Sequence, residues 1–295
     1  MLYPTPAAYL EAPNKAVALV GMSGLGKTTT ARMLRAGGDW FHYSVDYRIG
    51  TRYMGERITD NFKREAMKNP FLRDLLRSDS IYIASNITFE NLAPLSTYLG
   101  KPGAPDRGGI PFEAYLERQR QHREAEIAAL HDTLTFIDRA QDIYRYDHFL
   151  ADTGGSICEV VNPADPDDSV MRALSERALI VQIRGTDALA DELVARFRRD
   201  PKPMYYPEDL LISLWSDYRA RHGVAEDAVD PDDFAAWGFR ALIEHRVPRY
   251  DAIGRWGVVV EAHEIAALRS TEDFDALIAR AIEQRLPLAS ARSSG

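Results

Sequence analysis

The sequence predicts an α/β fold, a parallel sheet with helices on both faces, and three observations carry that expectation. Ala16-Val17-Ala18-Leu19-Val20 is an unbroken apolar run, as expected of a strand buried on both faces. It stops at Gly21 and gives way to a glycine-rich turn and then a helical stretch over 28–34. Ala31, Met33 and Leu34 are spaced for a helix there, and Gly37-Gly38 closes it. Further down the chain, strand-like runs alternate with helical ones, the pattern that builds a parallel sheet.

A second strand is expected over 40–45, ending at Asp46. A third is Phe149-Leu150-Ala151, ending in Asp152-Thr153-Gly154-Gly155. A fourth covers 178–183 and leads through Arg184-Gly185-Thr186 into a helix over 187–199. A fifth covers 256–261 and precedes a terminal helix around 273–285. Between the second and third strands lie roughly a hundred residues, more than a crossover needs. There, 55–77 reads as one helix through Ile58, Phe62, Met67, Phe71 and Leu75, followed by a Gly/Pro-rich loop over 100–111. Pro111 then starts a long helix, whose 127–137 part carries Ile127, Leu130, Leu134 and Ile137, while the polar stretch 119–126 marks a solvated end. A second helical insertion spans 207–245, with Asp230-Pro231 as cap and first turn for Phe234, Trp237 and Leu242. The organisation expected is a single domain over 1–295, with helical insertions at about 78–145 and 207–245. An Ala/Ser/Arg tail at 287–295 reads as frayed.

Composition narrows the function. Of the 295 residues, 45% are apolar and 27% charged, an ordinary globular mix without a run long enough to span a bilayer. A net charge of -8 argues against a broad nucleic-acid surface, which needs clustered Lys and Arg. Cys158 is the sole cysteine, the seven histidines show no zinc spacing with it, and the N-terminus has no leader pattern, so the cytosol is the expected setting.

Gly21-Met22-Ser23-Gly24-Leu25-Gly26-Lys27-Thr28 matches the phosphate-loop pattern Gly-x4-Gly-Lys-Thr, with the apolar strand before it and the helix after it that the pattern requires. Glycines 21, 24 and 26 let successive N–H groups turn inward at the positive end of a helix. In that cradle Lys27 neutralises β- and γ-phosphates, Thr28 supplies a magnesium ligand, and Ser23, Leu25 and Thr29 complete the wall. ATP with magnesium is therefore the expected ligand, since no Asn-Lys-x-Asp tetrad for guanine is present.

Two acids stand at strand ends. Asp46 could accept the proton of an acceptor hydroxyl and contribute to a metal shell, or it could cap the segment that follows. Asp152 could orient magnesium in the manner of a Walker B acid, or it could be a turn residue. Beside it, Gly154-Gly155 lets a bound substrate approach the backbone closely.

In sequence order these pieces resemble the shikimate kinase and gluconate kinase branch of phosphate-loop kinases. The resemblance includes Asp46 after the second strand, the Gly-x-x-Ile-x-x-x-Phe pattern at Gly55, Ile58 and Phe62, and Phe71-Leu72-Arg73. It continues with Thr153-Gly154-Gly155-Ser156, the basic run Arg196-Phe197-Arg198-Arg199-Asp200-Pro201-Lys202, and Arg246-Val247-Pro248-Arg249-Tyr250. It implies the P-loop NTPase fold with strand order 2-3-1-4-5, a mobile lid, and phosphoryl transfer from ATP to a small hydroxylated, anionic acceptor. By the same resemblance Asp46 holds and deprotonates the acceptor, and Arg73 and Arg246 bind its anionic group through their planar forks. Gly154 and Gly155 line its pocket, and Arg196, Arg199 and Lys202 close over the phosphates. The chain departs from the family at Ser44, where a first acid is usual, which leaves Asp152 to take that role, and in its two insertions.

Two other readings fit the loop: an ATP-hydrolysing switch that binds a macromolecular partner, and a kinase acting on nucleic-acid ends or on a nucleotide-sugar target. A metabolite kinase consumes ATP faster when its acceptor is present, whereas a switch does not. The acceptor and the oligomeric state are not written in the sequence.

Overall fold

The computed structural model describes residues 2–290. The chain folds as two compact units, of which the second is formed by Asp46–Ala129 and Phe197–Phe239 and the first by the remainder.

The first unit is built on a five-stranded, all-parallel sheet: β1 Ala16–Val20, β2 Trp40–Ser44, β3 His148–Asp152, β4 Leu179–Arg184 and β5 Val258–Glu261, in the order β2-β3-β1-β4-β5. With the Gly21–Thr28 loop joining β1 to the helix Lys27–Ala36, this is the phosphate-loop NTPase fold. β1 is central because its five residues carry no polar side chain: it pairs with β3 on one side and β4 on the other, and all five are buried.

Alternate residues of β1 serve different faces. Val17 and Leu19 join one core with Leu34, Val181, Val260, Phe274 and Ile278. On the β2 side of the sheet, rings from two strands and the helix Phe112–Asp142 pack together, Phe41 on Phe149 at 5.8 Å and Tyr43 on Phe136 at 4.9 Å.

The sequence reading contains no element before β1, yet a short helix, Pro6–Leu10, is present, capped by the Thr5 side chain accepting from the Ala8 N–H. Its Tyr9 hydroxyl donates to Asp275 at 2.7 Å. The buried Lys15 ammonium also reaches Asp275, at 2.7 Å, which ties the chain start to the helix Thr271–Ser290. That terminal helix extends past 285, so the 287–290 part of the expected tail is helical, and 291–295 lies outside the described residues.

In the second unit, the helix expected over 55–77 is two: Gly55–Ala66 and Pro70–Arg77. The break falls at Asn69-Pro70, where Asn69 accepts from the N–H groups of Phe71 and Leu72 and Pro70 opens the new helix. The long helix begins at Phe112, immediately after Pro111, as expected. Its polar stretch is solvated on one face only: Arg120, Arg123 and Glu124 are exposed as expected, whereas Gln119, His122 and Glu126 are buried. Gln119 accepts from the Tyr206 N–H and donates to the Met204 carbonyl, and Tyr115 donates to that same carbonyl, so these side chains satisfy a segment that has no ladder of its own. An aromatic cluster, Phe112 on Trp215 at 4.7 Å and Trp215 on Phe234 at 5.0 Å, binds the helix Glu208–His222 into the unit. Asp230 caps the next helix, Pro231–Gly254, through the N–H groups of Asp232 and Asp233. That helix runs on through Arg246-Val247-Pro248-Arg249-Tyr250. No helix among the described residues is long and apolar enough to cross a membrane.

His148, at the start of β3, is tied to the residue that precedes β1. Its Nδ1 accepts from the Lys15 N–H at 3.2 Å and its ring packs on Trp40 at 4.9 Å. Burial, then the Lys15 charge, lowers its pKa from the ordinary 6.5. A base whose folded pKa is depressed stabilises the fold fully above its unfolded pKa, and that contribution is lost as pH falls below it toward the folded value. Melting temperatures taken from pH 8 to 5 should therefore decline below the ordinary histidine range. His148→Gln should flatten part of that decline, the rest falling to His42, which burial also shifts downward. An unchanged slope in His148→Gln would show that this ring does not couple folding to protons.

Candidate functional site

The candidate site is assembled at the carboxyl ends of β1 and β3, where a parallel α/β sheet leaves a crevice. Because β1 is locked between two strands, the loop leaving it has a fixed origin. Gly26 takes φ 94° at the N-cap of the helix Lys27–Ala36, a left-handed position, and a Cβ there would come 2.9 Å from the Ile265 side chain. The helix therefore starts on glycine, and its first N–H groups open toward the loop, the arrangement that receives phosphate.

Lys27 is buried, and its Nζ donates to the carbonyls of Gly21 at 2.6 Å and Met22 at 3.0 Å, so the ammonium closes the loop from inside. Leu25 is buried in the apolar core and anchors the loop, whereas Ser23, Thr28 and Thr29 are exposed. Thr28 and Asp152, far apart in sequence, meet: Thr28 Oγ1 donates to Asp152 Oδ2 at 2.6 Å. The pairing follows from register, since Asp152 lies beside Leu19 of β1 and Ser44 of β2. The other carboxylate oxygen, Oδ1, accepts from the Gly154 N–H at 3.2 Å. Burial lowers the pKa of His42, on β2, although Asp152 acts in the opposite direction.

The turn after β3 presses against the loop. A Cβ on Gly155 would lie 2.1 Å from Ser23 Oγ, a hydroxyl that can rotate away, and 3.1 Å from the Ser23 backbone nitrogen, so glycine here permits a closer approach of turn and loop than any other residue. Arg246, buried, donates from Nη1 to the Gly155 carbonyl and from Nε to Glu159, both at 2.9 Å. Arg196 lies on the outer side of the loop, its Nη2 3.0 Å from where a Gly24 Cβ would stand.

The structure thus brings Lys27, Thr28, Asp152, Gly154, Gly155, Arg196 and Arg246 together in the first unit. Asp46, Arg73 and Arg199 fall in the second unit. There Asp46 is half-buried in the first turn of the helix Val45–Arg48, and Arg73 faces its neighbour Asp74 with Nε 3.7 Å from the carboxylate. Arg199 ends the helix Asp187–Arg199, and Lys202 pairs with Asp200 at 3.3 Å in solvent. The sequence reading passed over Glu159, an acid inside the apolar run Ile157 to Val161, and the position of an acid in such a run was the available signal.

For a magnesium ion, Thr28 and Asp152 offer a hydroxyl and a carboxylate, hard oxygen donors within 2.6 Å of each other at a helix N-terminus. That set fits the ion, which prefers oxygen and keeps several waters.

No protein-family model and no curated protein matches the chain. Among solved structures, the shikimate kinase from Bacteroides thetaiotaomicron is similar, with 15% identity over 92% of this chain and 97% of that one and a TM-score of 0.37. The shikimate kinase from Acinetobacter baumannii in complex with shikimate is similar with 18% identity over 82% of this chain and 99% of that one, TM-score 0.32.

If the loop takes magnesium-ATP, Gly155→Ala, by pressing on the Ser23 backbone nitrogen 3.1 Å from the new Cβ, should weaken that binding by about tenfold. Calorimetric titration of folded variant and wild type measures this, and equal affinities would refute the close approach as a requirement.

Proposed function

We propose that this protein is an ATP-dependent phosphotransferase that moves the γ-phosphoryl group of magnesium-ATP to a hydroxyl of a small, anionic acceptor. The observation that carries the reading is the 2.6 Å contact of Thr28 with Asp152 at the mouth of a phosphate loop, a pairing of hydroxyl and carboxylate suited to a magnesium-bound triphosphate. Magnesium held there would offset charge on the β- and γ-phosphates.

The chain's own groups do the rest. The N–H groups of Gly24, Gly26, Lys27 and Thr28 receive phosphate oxygens, and Lys27 turns from the loop carbonyls to the phosphates. Arg196, with its guanidinium against the loop at Gly24, stabilises the charge that spreads over the transferring group. Asp46, after the end of β2, takes the proton of the acceptor hydroxyl as the new oxygen–phosphorus bond forms and the bond to the β-phosphate oxygen breaks. Gly154 and Gly155 leave room for the acceptor because they add no side chain. The setting is the cytosol.

ADP release with ATP and magnesium, in the presence and absence of fractionated polyhydroxy acids and phosphosugars, tests the reading. One fraction should stimulate turnover, and Lys27→Ala should reduce the stimulated rate by at least about 100-fold. Slow turnover that no fraction accelerates would defeat the metabolite kinase and favour an ATP-hydrolysing switch.

A further inference from the structure

Glu159 and Arg246 form a buried ion pair, with side chains 0% and 4% exposed. Burying such a pair costs desolvation that its own attraction does not reliably return, so its value is better sought in what it holds in place. Glu159 lies in the short helix Ile157–Val160 that follows β3, and Arg246 lies on the helix Pro231–Gly254. The guanidinium is one rigid plane: once Nε is fixed on Glu159 at 2.9 Å, the direction of Nη1 is fixed too, and Nη1 holds the Gly155 carbonyl at 2.9 Å. His245 Nδ1, at 3.2 Å, and Arg249 Nε, at 3.7 Å, approach the other oxygen of the Glu159 carboxylate. Arg249 also donates to the carbonyls of Cys158 and Val161, at 2.5 and 2.9 Å, and so pins both ends of that short helix.

From Gly155 the constraint reaches the phosphate loop along two routes. One is steric: the turn packs so closely on the loop that a Cβ on Gly155 would stand 3.1 Å from the Ser23 backbone nitrogen. The other is polar: the neighbouring Gly154 N–H donates to Asp152 Oδ1 at 3.2 Å, and Asp152 Oδ2 receives the Thr28 hydroxyl at 2.6 Å.

We propose that Glu159 and Arg246 are positioning residues of the nucleotide–metal site, aiming Asp152 and Thr28 through the Gly154-Gly155 turn, and that Arg246 does not bind the acceptor's anionic group. The inference rests on the reading of the loop as a magnesium-nucleotide site. An outer partner of a metal ligand typically contributes 10–100-fold to metal affinity when it acts through orientation.

The test is the affinity of the full-length protein for a fluorescent N-methylanthraniloyl ATP, measured with magnesium and with EDTA. Arg246→Lys keeps the charge and loses the fork, so its affinity with magnesium should fall by about tenfold, while its magnesium-free affinity stays within about threefold of wild type. Glu159→Gln keeps an acceptor for Nε and should bind as wild type, whereas Glu159→Ala should behave like Arg246→Lys. If Arg246→Lys fails to fold, Glu159→Gln combined with Arg246→Gln removes both charges together and reads the same pair of constants.

Wild-type magnesium affinity in Arg246→Lys would overturn the proposal, as would an equal loss with and without the metal. A variant that keeps magnesium-nucleotide affinity but raises the acceptor KM would return Arg246 to the acceptor pocket. Lys27→Ala serves as the reference: if wild type and Lys27→Ala bind the probe alike, the loop reading itself fails, an outcome distinct from failure of the positioning role.

Discussion

The parallel pairing of β1 with β3 and β4 is the constraint on which the candidate site depends. A strand of five small and medium apolar residues, buried on every side, has one position available to it, and the loop at its end inherits that position. Register then does the chemical work. Placing Leu19 beside Asp152 brings the β3 carboxylate to the first turn of the helix after the loop, and the Thr28 hydroxyl closes the contact. A slip of one residue would turn Asp152 to the other face of the sheet and leave the hydroxyl facing a different side chain.

Three charged groups around the loop are held by hydrogen bonds to their neighbours. The Lys27 ammonium is held by two loop carbonyls, the Asp152 carboxylate by a hydroxyl and an N–H, and the Arg246 guanidinium by Glu159 and Gly155. These are charge-assisted bonds in a partly dry setting, stronger than their counterparts in water and demanding in geometry. The Gly155–Ser23 approach adds a steric limit, so the loop is bounded on its β3 side by backbone and on its outer side by Arg196.

Legibility differed between the two units. In the first, the strand ends were readable because apolar runs stopped at Gly21, Asp152 and Arg184, and the observed strands end within a residue or two of those marks. The second unit misled the sequence reading wherever a polar residue was not solvated. Gln119, His122 and Glu126 occupy polar positions in a helical pattern, which ordinarily means a wet face, but the 204–206 backbone needs donors and acceptors, and Gln119 meets that need. Asn69-Pro70 carried a legible break that the hydrophobic spacing of 55–77 obscured.

The sequence by itself determined the phosphate loop, because that motif is local: eight consecutive residues set their own backbone conformation and need only a strand before them and a helix after them. It also nominated Asp152 as a strand-end acid. Only the tertiary structure decided that Asp152 meets Thr28, that Gly155 abuts Ser23, and that Arg246 is engaged by Glu159. Those contacts join residues far apart in the chain: Glu159 and Arg246 are 87 positions apart, Thr28 and Asp152 124, and Ser23 and Gly155 132. Their partners are chosen by sheet register and helix packing, which depend on the whole fold and leave no periodic trace in the chain.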